Sequence, residues 1–252
     1  MSYVKRFSNL IVSGNLRELD MLPLSIKNNV IKSLIILSKY LGIYEDFSNR
    51  CKQFGIKTTS PNTLNAFLRI LNSNNSDILK WYSEALPILR DNEKTLLKYL
   101  LYSGIRKEEA IMSFNKIIEL HKLNRLNEYY DVNLNCLMHF KYPKEFIRKT
   151  KNCFITFITE DLLNEIANSK PITYAMIIKR LYRKNIKCRI NELRDYYGTF
   201  LLQHGILEAE INLCQGRIPP SIFIKHYWSP KLSELRDRIL LALKELEQSI
   251  NN

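Results

Sequence analysis

The sequence predicts a mainly α-helical fold with a small antiparallel β-sheet, and three observations lead to this fold class. Apolar residues recur at helical spacing through most of the 252 residues. Only between residues 134 and 158 does the pattern change, to two short apolar runs that are typical of strands. A polar run at residues 72–77 has no apolar anchor, so it predicts a linker between residues 1–75 and 76–252.

The first predicted domain, residues 1–75, is expected to be a small helical unit. Ser25 can cap a helix that ends at Gly42, and a second helix is expected to begin near Pro61, because proline fits the first helical position. Ten Lys and Arg residues oppose four Asp and Glu residues here. This basic surface is compatible with a solvated helical bundle or with a domain that clamps DNA.

The first motif of the second predicted domain, residues 76–252, lies between two helices. Asp91 is expected to cap a helix that ends at Gly104, and the next helix begins at once. Arg106 therefore lies at a helix N-terminus, where free N–H groups add positive potential. An arginine in this position can point at a bound anion.

The two predicted strands and the helices after them complete the second domain. The strands are Leu134–Phe140 and Cys153–Ile158, joined by a basic connection at residues 144–152. From Thr173 onward the pattern is helical again, with expected stops at Asn185, Gly205 and Gly216. Pro219 and Pro220 set off a short helix before Tyr227. A last helix follows Ser229-Pro230, with one apolar side formed by Leu232, Leu235, Ile239, Ala242, Leu246 and Ile250.

Composition limits the class of partner and the compartment. Lys and Arg number 38 against 25 Asp and Glu, a net charge of +13, which favours nucleic acid over an anionic membrane. The five cysteines form no C-x-x-C pair, so we expect reduced residues of a cytoplasmic protein, without a disulfide frame or a zinc site. No apolar run approaches the roughly 18 residues of a membrane-spanning helix, so no membrane partner is expected.

Several residues downstream of Arg106 suit the cleavage of a phosphodiester without a metal or cofactor. Arg194 lies near a helix start, Arg217 follows it by 23 residues, and Tyr227 follows Arg217 by 10. Arginine can hold two phosphate oxygens and keeps its charge. Tyrosine can form a phosphodiester that keeps the bond energy for rejoining, and lysine can protonate a leaving oxygen.

The order and spacing of these motifs resemble the active site of the tyrosine recombinases. The Gln215-Gly216-Arg217 triplet is most similar to integrases of archaeal viruses and plasmids, the fuselloviral type. The resemblance covers about residues 91–230 and, by position and size only, residues 1–75. It implies a tyrosine recombinase catalytic fold preceded by a small helical DNA-binding domain.

The resemblance also implies a role for each matching residue. The phosphate would be held by Arg106, Arg194 and Arg217, and Tyr227 would be the nucleophile. Glu109 stands at the carboxylate that braces the site. Lys151 stands at the general acid, with Lys149 as the alternative because the register of a hairpin cannot be derived from sequence. Asn191 and Arg217 occupy positions where most of the family has histidine, and fuselloviral integrases commonly replace both.

DNA is the expected partner, as duplex attachment sites on which the protein assembles into a tetramer. Four basic residues, in two pairs one helical turn apart, form a basic stripe: Lys179, Arg180, Arg183 and Lys184. The stripe could contact the DNA backbone or could be a solvated face. In this family the last helix often docks on a neighbouring subunit, but its spacing is equally compatible with packing on its own domain.

Three functions remain open from the sequence. The first is a site-specific DNA recombinase or integrase that cuts through a 3′-phosphotyrosine intermediate. The second is a type IB topoisomerase-like enzyme, which shares this chemistry but relaxes supercoils without joining two sites. The third is a non-catalytic DNA-binding protein of the same fold, which Asn191 leaves possible and the intact Arg106, Arg194 and Tyr227 disfavour.

Overall fold

Helices form most of the regular structure in the computed structural model, which describes residues 3–56, 67, 75–148, 151–218 and 221–251. The chain divides into two compact units, Met1–Ser73 and Asn74–Asn252. The small sheet has three antiparallel strands. The predicted fold class, mainly helical with a small antiparallel sheet, is therefore confirmed.

The described part of the first unit is a set of short helices around an apolar core. Its helices are α1 (Tyr3–Phe7), α2 (Asn9–Ser13), α3 (Leu24–Tyr40) and α4 (Tyr44–Gln53). The core side chains are contributed by every one of these helices and by the 3-10 turn at Leu16–Met21, and they include Phe7, Leu10, Leu16, Leu34 and Phe47. The Arg50 guanidinium donates to the Ile11 carbonyl at 2.8 Å, which joins α4 to α2.

Helix α3 begins earlier than the sequence predicted. Pro23 precedes its first residue, and Ser25 lies inside the first turn, so Ser25 is not the cap. The physical reason is that the ring of Pro23 already restricts φ to a value close to that of a helix. Gly42 has a φ of +72° and ends the helix as expected. The helix predicted near Pro61 lies outside the described residues.

The described residues of the second unit contain ten α-helices and the sheet. Its helices are α5 (Asn75–Ala85), α6 (Asp91–Ser103), α7 (Lys107–Lys122), α8 (Pro143–Phe146), α9 (Glu160–Ala167), α10 (Tyr174–Arg183), α11 (Ile190–Gln203), α12 (Glu208–Cys214), α13 (Ile222–His226) and α14 (Leu232–Asn251). Helix α11 packs against α6, and α9 packs against α6 and α7. No helix within the described residues combines the length and apolar character needed to cross a membrane.

Two helix starts in this unit correct the sequence prediction. Residues 75–77, assigned to a linker, form the first turn of α5, where the Asp77 carboxylate pairs with Arg189 at 2.7 Å. That contact across 112 residues is invisible to local patterning. Helix α6 is preceded by Arg90, not capped by Asp91, because the Glu93 carboxylate accepts the Arg90 backbone N–H at 2.9 Å.

The sheet is smaller than predicted and has one more strand. Its strands are β1 (Tyr130–Asp131), β2 (Cys136–Leu137) and β3 (Thr156–Phe157), in the order β1-β2-β3. Each predicted run supplies one strand, but β2 is short because Asn135 before it has a φ of +45° and a 3-10 helix begins at His139. Strand β1 has only two residues, too few to produce a pattern.

A buried polar network joins the sheet to the helices behind it. His139 contacts the Tyr129 hydroxyl with Nδ1 and the Thr156 hydroxyl with Nε2, and Tyr129 donates to Ser113 of α7 at 2.9 Å. Burial lowers the pKa of His139 to about 3, so its ring is neutral at physiological pH. The network fixes β2 and β3 against α7, the helix that begins next to Arg106.

The last helix, α14, packs on its own unit. Its apolar side is buried in the core of residues 74–252 through Leu235, Ile239, Ala242, Leu243 and Leu246. Lys98 of α6 pairs with Glu247 at 2.9 Å, and Arg238 pairs with Glu210 of α12. Of the two alternatives for this helix, the structure therefore favours packing on its own domain.

Candidate active site

The corner between α6 and α7 carries the first predicted arginine. Gly104 ends α6 with a φ of +59°, and a Cβ at this residue would lie only 2.0 Å from the Tyr197 ring of α11. Only glycine fits both conditions. The corner is thereby pressed against α11, and Arg106 occupies the N-cap position of α7, as the sequence predicted.

Arg106 contacts a carboxylate and a distant carbonyl. Its Nη1 lies 3.5 Å from Oε1 of Glu109, one helical turn further along α7, and donates to the Asn152 carbonyl at 3.2 Å. Glu109 is fully buried, so the guanidinium partly neutralises a charge that is shielded from water. The side chain of Arg106 keeps about a fifth of its surface exposed, 21%, so it remains accessible to an anion.

In the basic connection between α8 and β3, residues 147–148 pair with residues 151–152 next to Arg106; these two paired segments are called the hairpin. Ile147 and Asn152 form an antiparallel bridge. The Arg148 N–H donates to the Asn152 side-chain carbonyl at 3.1 Å and to the Lys151 backbone carbonyl at 3.3 Å. Lys151 is exposed and adjoins the residue whose carbonyl binds Arg106. Lys149, the alternative acid, lies outside the described residues.

The second arginine, Arg194 on α11, is held by two backbone carbonyls. Nη1 donates to Gly104 and Nη2 to Gln215, both at 2.8 Å, while Gln215 Nε2 returns a bond to the Arg194 carbonyl at 3.0 Å. Arg194 is 9% exposed. Burial, followed by the neighbouring charges of Arg106 and Arg217, lowers the pKa of Arg194 to about 10. The guanidinium remains charged at neutral pH and lies near the other two arginines and Glu109.

The turn after α12 completes the cluster. Gly216 has a φ of +70°, and a Cβ there would lie 1.8 Å from the Asn152 carbonyl oxygen, so the turn touches the hairpin. Arg217 follows with an exposed side chain, and its backbone N–H bonds to Asn212 at 2.7 Å. The α6–α7 corner, the hairpin and this turn are far apart in the sequence and meet here. They bring Arg106, Arg194 and Arg217 together in a cluster that is called the cationic pocket.

Tyr227 and Asn191 are not bound into this pocket. Tyr227 is 73% exposed at the end of α13, where its ring lies 6.4 Å from that of Phe223. Within the described residues, its hydroxyl makes no hydrogen bond to Arg106, Arg194 or Arg217. Asn191 lies exposed in the first turn of α11.

Comparison with known protein families identifies the fold around this pocket. A family model described as archaeal phage integrase matches residues 71–234, well over half of the chain. The chain belongs to the archaeal phage integrase family. Membership implies DNA binding and DNA integration of the tyrosine recombinase type, and it confirms the resemblance found in the sequence. No match was found among the curated proteins or among the solved structures.

The match to archaeal phage integrases covers the whole cationic pocket and Tyr227. It begins only at residue 71, so most of the first unit lies outside the matched range. The five cysteines are free thiols, three of them buried. In the described part of the chain, no group of three or more His, Cys, Asp and Glu side chains is arranged to hold a metal ion.

The basic stripe of the integrase unit contains two kinds of side chain. Lys179, Arg183 and Lys184 are exposed at the end of α10. Arg180 instead pairs with Glu93, a fully buried carboxylate at the start of α6. Removing Arg180 would therefore leave a buried charge without its partner, whereas the other three cations can be removed without that cost.

Two contributors to the integrase pocket were not singled out from the sequence. Arg148, in the basic run of the hairpin, pairs with Glu109 across 39 residues. Asn152 contacts Arg106 through its backbone carbonyl, a contact that does not depend on the identity of its side chain. The sequence signal for Arg148 is the run of basic residues at 148–151. This run predicts a basic turn but does not show which side chain points inward.

Proposed function

We propose that this chain is a site-specific DNA integrase that cleaves and rejoins DNA strands through a 3′-phosphotyrosine on Tyr227. The observation that carries the proposal is the convergence of Arg106, Arg194 and the Gly216 turn on one pocket within an archaeal phage integrase domain. Cations held in this way stabilise the charge that develops on phosphate oxygens in the transition state.

The proposed reaction is an in-line displacement at phosphorus. The Tyr227 oxygen forms the new bond to phosphorus, and the bond from phosphorus to the 5′ oxygen breaks. Lys151 gives its proton to the leaving 5′ oxygen, while water takes the proton from the exposed Tyr227 hydroxyl. Arg106, Arg194 and Arg217 bind the non-bridging oxygens, and Asn191 adds a hydrogen bond. Rejoining runs the same steps in reverse with a different 5′ hydroxyl.

Residues 1–75 are proposed to clamp the DNA. Helix α3 supports this role because its sequence contains no Asp or Glu and its exposed row presents Lys32, Ile36, Lys39 and Tyr40. Lysine can bind phosphate or guanine, and an apolar side chain can contact a thymine methyl group. We expect Lys32→Ala combined with Lys39→Ala to weaken DNA affinity while cleavage of bound DNA continues.

We further propose that the protein assembles into a tetramer on DNA. Helix α14 buries its apolar side in its own unit, so that side is not available for assembly. Sizing of the protein with and without attachment-site DNA tests this: a tetramer only in the presence of DNA is expected, and a persistent monomer on DNA would favour the relaxing enzyme.

A nicked suicide substrate tests the central proposal. The short strand beyond the cleavage site diffuses away, so the covalent protein–DNA adduct accumulates and can be counted on a denaturing gel. We expect the wild type to accumulate adduct and then to join two attachment sites in trans. Relaxation of a separate supercoiled plasmid, without joining of attachment sites, would instead indicate the topoisomerase-like function. DNA binding without adduct would indicate the non-catalytic one.

A further inference from the structure

The hairpin at residues 147–152 is attached to the cationic pocket at both of its ends. On one side Arg148 pairs with Glu109 of α7. On the other, the Asn152 carbonyl accepts the Arg106 guanidinium at 3.2 Å and lies against Gly216. Lys151 sits between these two attachments, immediately before Asn152, with its side chain exposed.

Glu109 is the anchor for two arginines at once. Its Oε1 pairs with Arg148 and lies 3.5 Å from Nη1 of Arg106. Its Oε2 is buried and has no hydrogen-bond partner among the described residues. A carboxylate with no exposed surface holds nearby cations strongly, because water does not screen the attraction. Arg148 is 40% exposed, so it spans from this buried anchor to the surface of the hairpin.

The geometry points to a role for Arg148 that the family resemblance does not assign. We propose that Arg148 is a positioning residue: its ion pair with Glu109 fixes the hairpin so that Lys151 stands over the leaving 5′ oxygen. This inference rests on the proposed function. In this proposal Arg148 acts through the placement of Lys151, and its guanidinium pairs with Glu109.

The physical reason is the flexibility of lysine. Its side chain has many rotamers and ends in a single ammonium group, so its backbone must be fixed if the proton is to arrive at one oxygen. The Arg148 N–H bonds to Lys151 and Asn152 hold the two sides of the hairpin together, and the Arg148–Glu109 pair anchors them to α7. Without the pair, Lys151 would be attached to the pocket only through the neighbouring Asn152.

The test compares two nicked substrates under single-turnover conditions, one with oxygen and one with sulfur at the bridging 5′ position. Sulfur leaves without a proton, so a defect in acid catalysis disappears on it. We expect Arg148→Ala to slow cleavage of the oxygen substrate by roughly 10- to 100-fold, the scale of a misplaced group. On the sulfur substrate its rate should return to near that of the wild type.

Two further variants make the test specific. Arg148→Ala combined with Lys151→Ala should be no slower on oxygen than Lys151→Ala alone, because both act on one proton transfer. Arg125→Ala is the matched control: Arg125 forms an exposed pair with Glu128 at 2.7 Å, and its removal should leave both rates unchanged. Arg148→Lys keeps a cation beside Glu109, so it should fold and show a smaller defect in the same direction.

Each other outcome contradicts the inference in a recognisable way. A defect of Arg148→Ala that persists on sulfur, with a flatter salt dependence of binding, would make Arg148 a phosphate ligand. A double variant much slower than Lys151→Ala would mean that the two residues act independently. If the wild type forms no adduct even on sulfur, where no acid is required, the proposed function itself fails. An equal loss of cleavage rate on both substrates, with unchanged DNA binding, would mean that Arg148 only stabilises the fold.

Discussion

The cationic pocket and the tyrosine segment of the second unit are built in opposite ways. In the pocket, Arg194 is almost entirely buried and bonded to two carbonyls, and Gly216 is in contact with the Asn152 carbonyl. On the segment around α13, by contrast, Ile222, Phe223 and Tyr227 are all more than half exposed. The pocket is held by contacts between residues 21 to 90 positions apart in the sequence. The described contacts of the Tyr227 ring are with Phe223 and His226, which lie close to it in the sequence.

From this difference we propose that the phosphate-binding groups and the nucleophile are held independently of each other. Arginines brought close together repel one another, so they need fixed carbonyls and a carboxylate around them before DNA arrives. A tyrosine needs no such support, because its hydroxyl is neutral and solvated. We therefore propose that the phosphate site is formed in the free protein and that Tyr227 reaches it when DNA is bound.

The largest expected effect is on Tyr227. Tyr227→Phe should abolish the covalent adduct completely, because the atom that attacks phosphorus is gone. DNA affinity and the unfolding midpoint should stay near the wild-type values, since the side chain is exposed. Gel detection of the adduct and a binding titration check both parts. Residual adduct in the Phe variant would show that another residue is the nucleophile, and the contrast between the pocket and the tyrosine segment would then not concern catalysis.

The next effect concerns the acid on the held hairpin. Lys151→Ala should slow cleavage by roughly two to four orders of magnitude, the usual contribution of a positioned general acid. A substrate with bridging 5′ sulfur should restore most of the cleavage rate. Lys149→Ala should weaken binding and show no such recovery. If the sulfur substrate restored the cleavage rate of the Lys149 variant instead, Lys149 would be the general acid. If it restored the rate of neither variant, the proton would not come from the hairpin.

A pair of glycines tests how tightly the pocket is held. Gly216 and Gly205 have similar φ values of +70° and +77°, but a Cβ on Gly205 meets nothing within 4 Å. Gly205→Ala should therefore cost only the backbone term, about 1–2 kcal/mol of unfolding free energy. Gly216→Ala should cost about 1–3 kcal/mol more, because backbone atoms must move, and it should also reduce adduct formation. Urea unfolding measures both losses of unfolding free energy. Equal losses in the two variants would mean that the backbone around Gly216 adjusts to the added Cβ without strain.

The smallest expected effect distinguishes the paired cation at the end of α10 from the exposed ones. Arg183→Ala combined with Lys184→Ala should flatten the dependence of log affinity on log salt by about one unit for each phosphate that is no longer neutralised. Stability should be unchanged, because both side chains are exposed. Arg180→Ala should instead lower the free energy of unfolding by about 1–3 kcal/mol, because Glu93 is left buried without this partner. A salt-insensitive affinity of the wild type would contradict DNA binding through this surface.

Local sequence signals predicted the parts of the site that depend on neighbouring residues. Gly104 ends a helix, Arg106 begins the next, and Tyr227 follows a short helix, all as expected from spacing and from glycine's tolerance of positive φ. The class of the fold followed from helical periodicity in the same way. The order and spacing of the motifs also predicted the family that the comparison confirmed.

The tertiary structure alone decided what these residues touch. Burial of Arg194, the contact of Gly216 with Asn152 and the pairing of Arg148 with Glu109 each join segments tens of residues apart. Such contacts depend on how the helices and the hairpin pack. A one-residue change in the register of the hairpin would put a neighbouring residue in the place of Lys151. Periodicity reports only which face of an element is apolar, so the partner of each polar side chain is determined by packing.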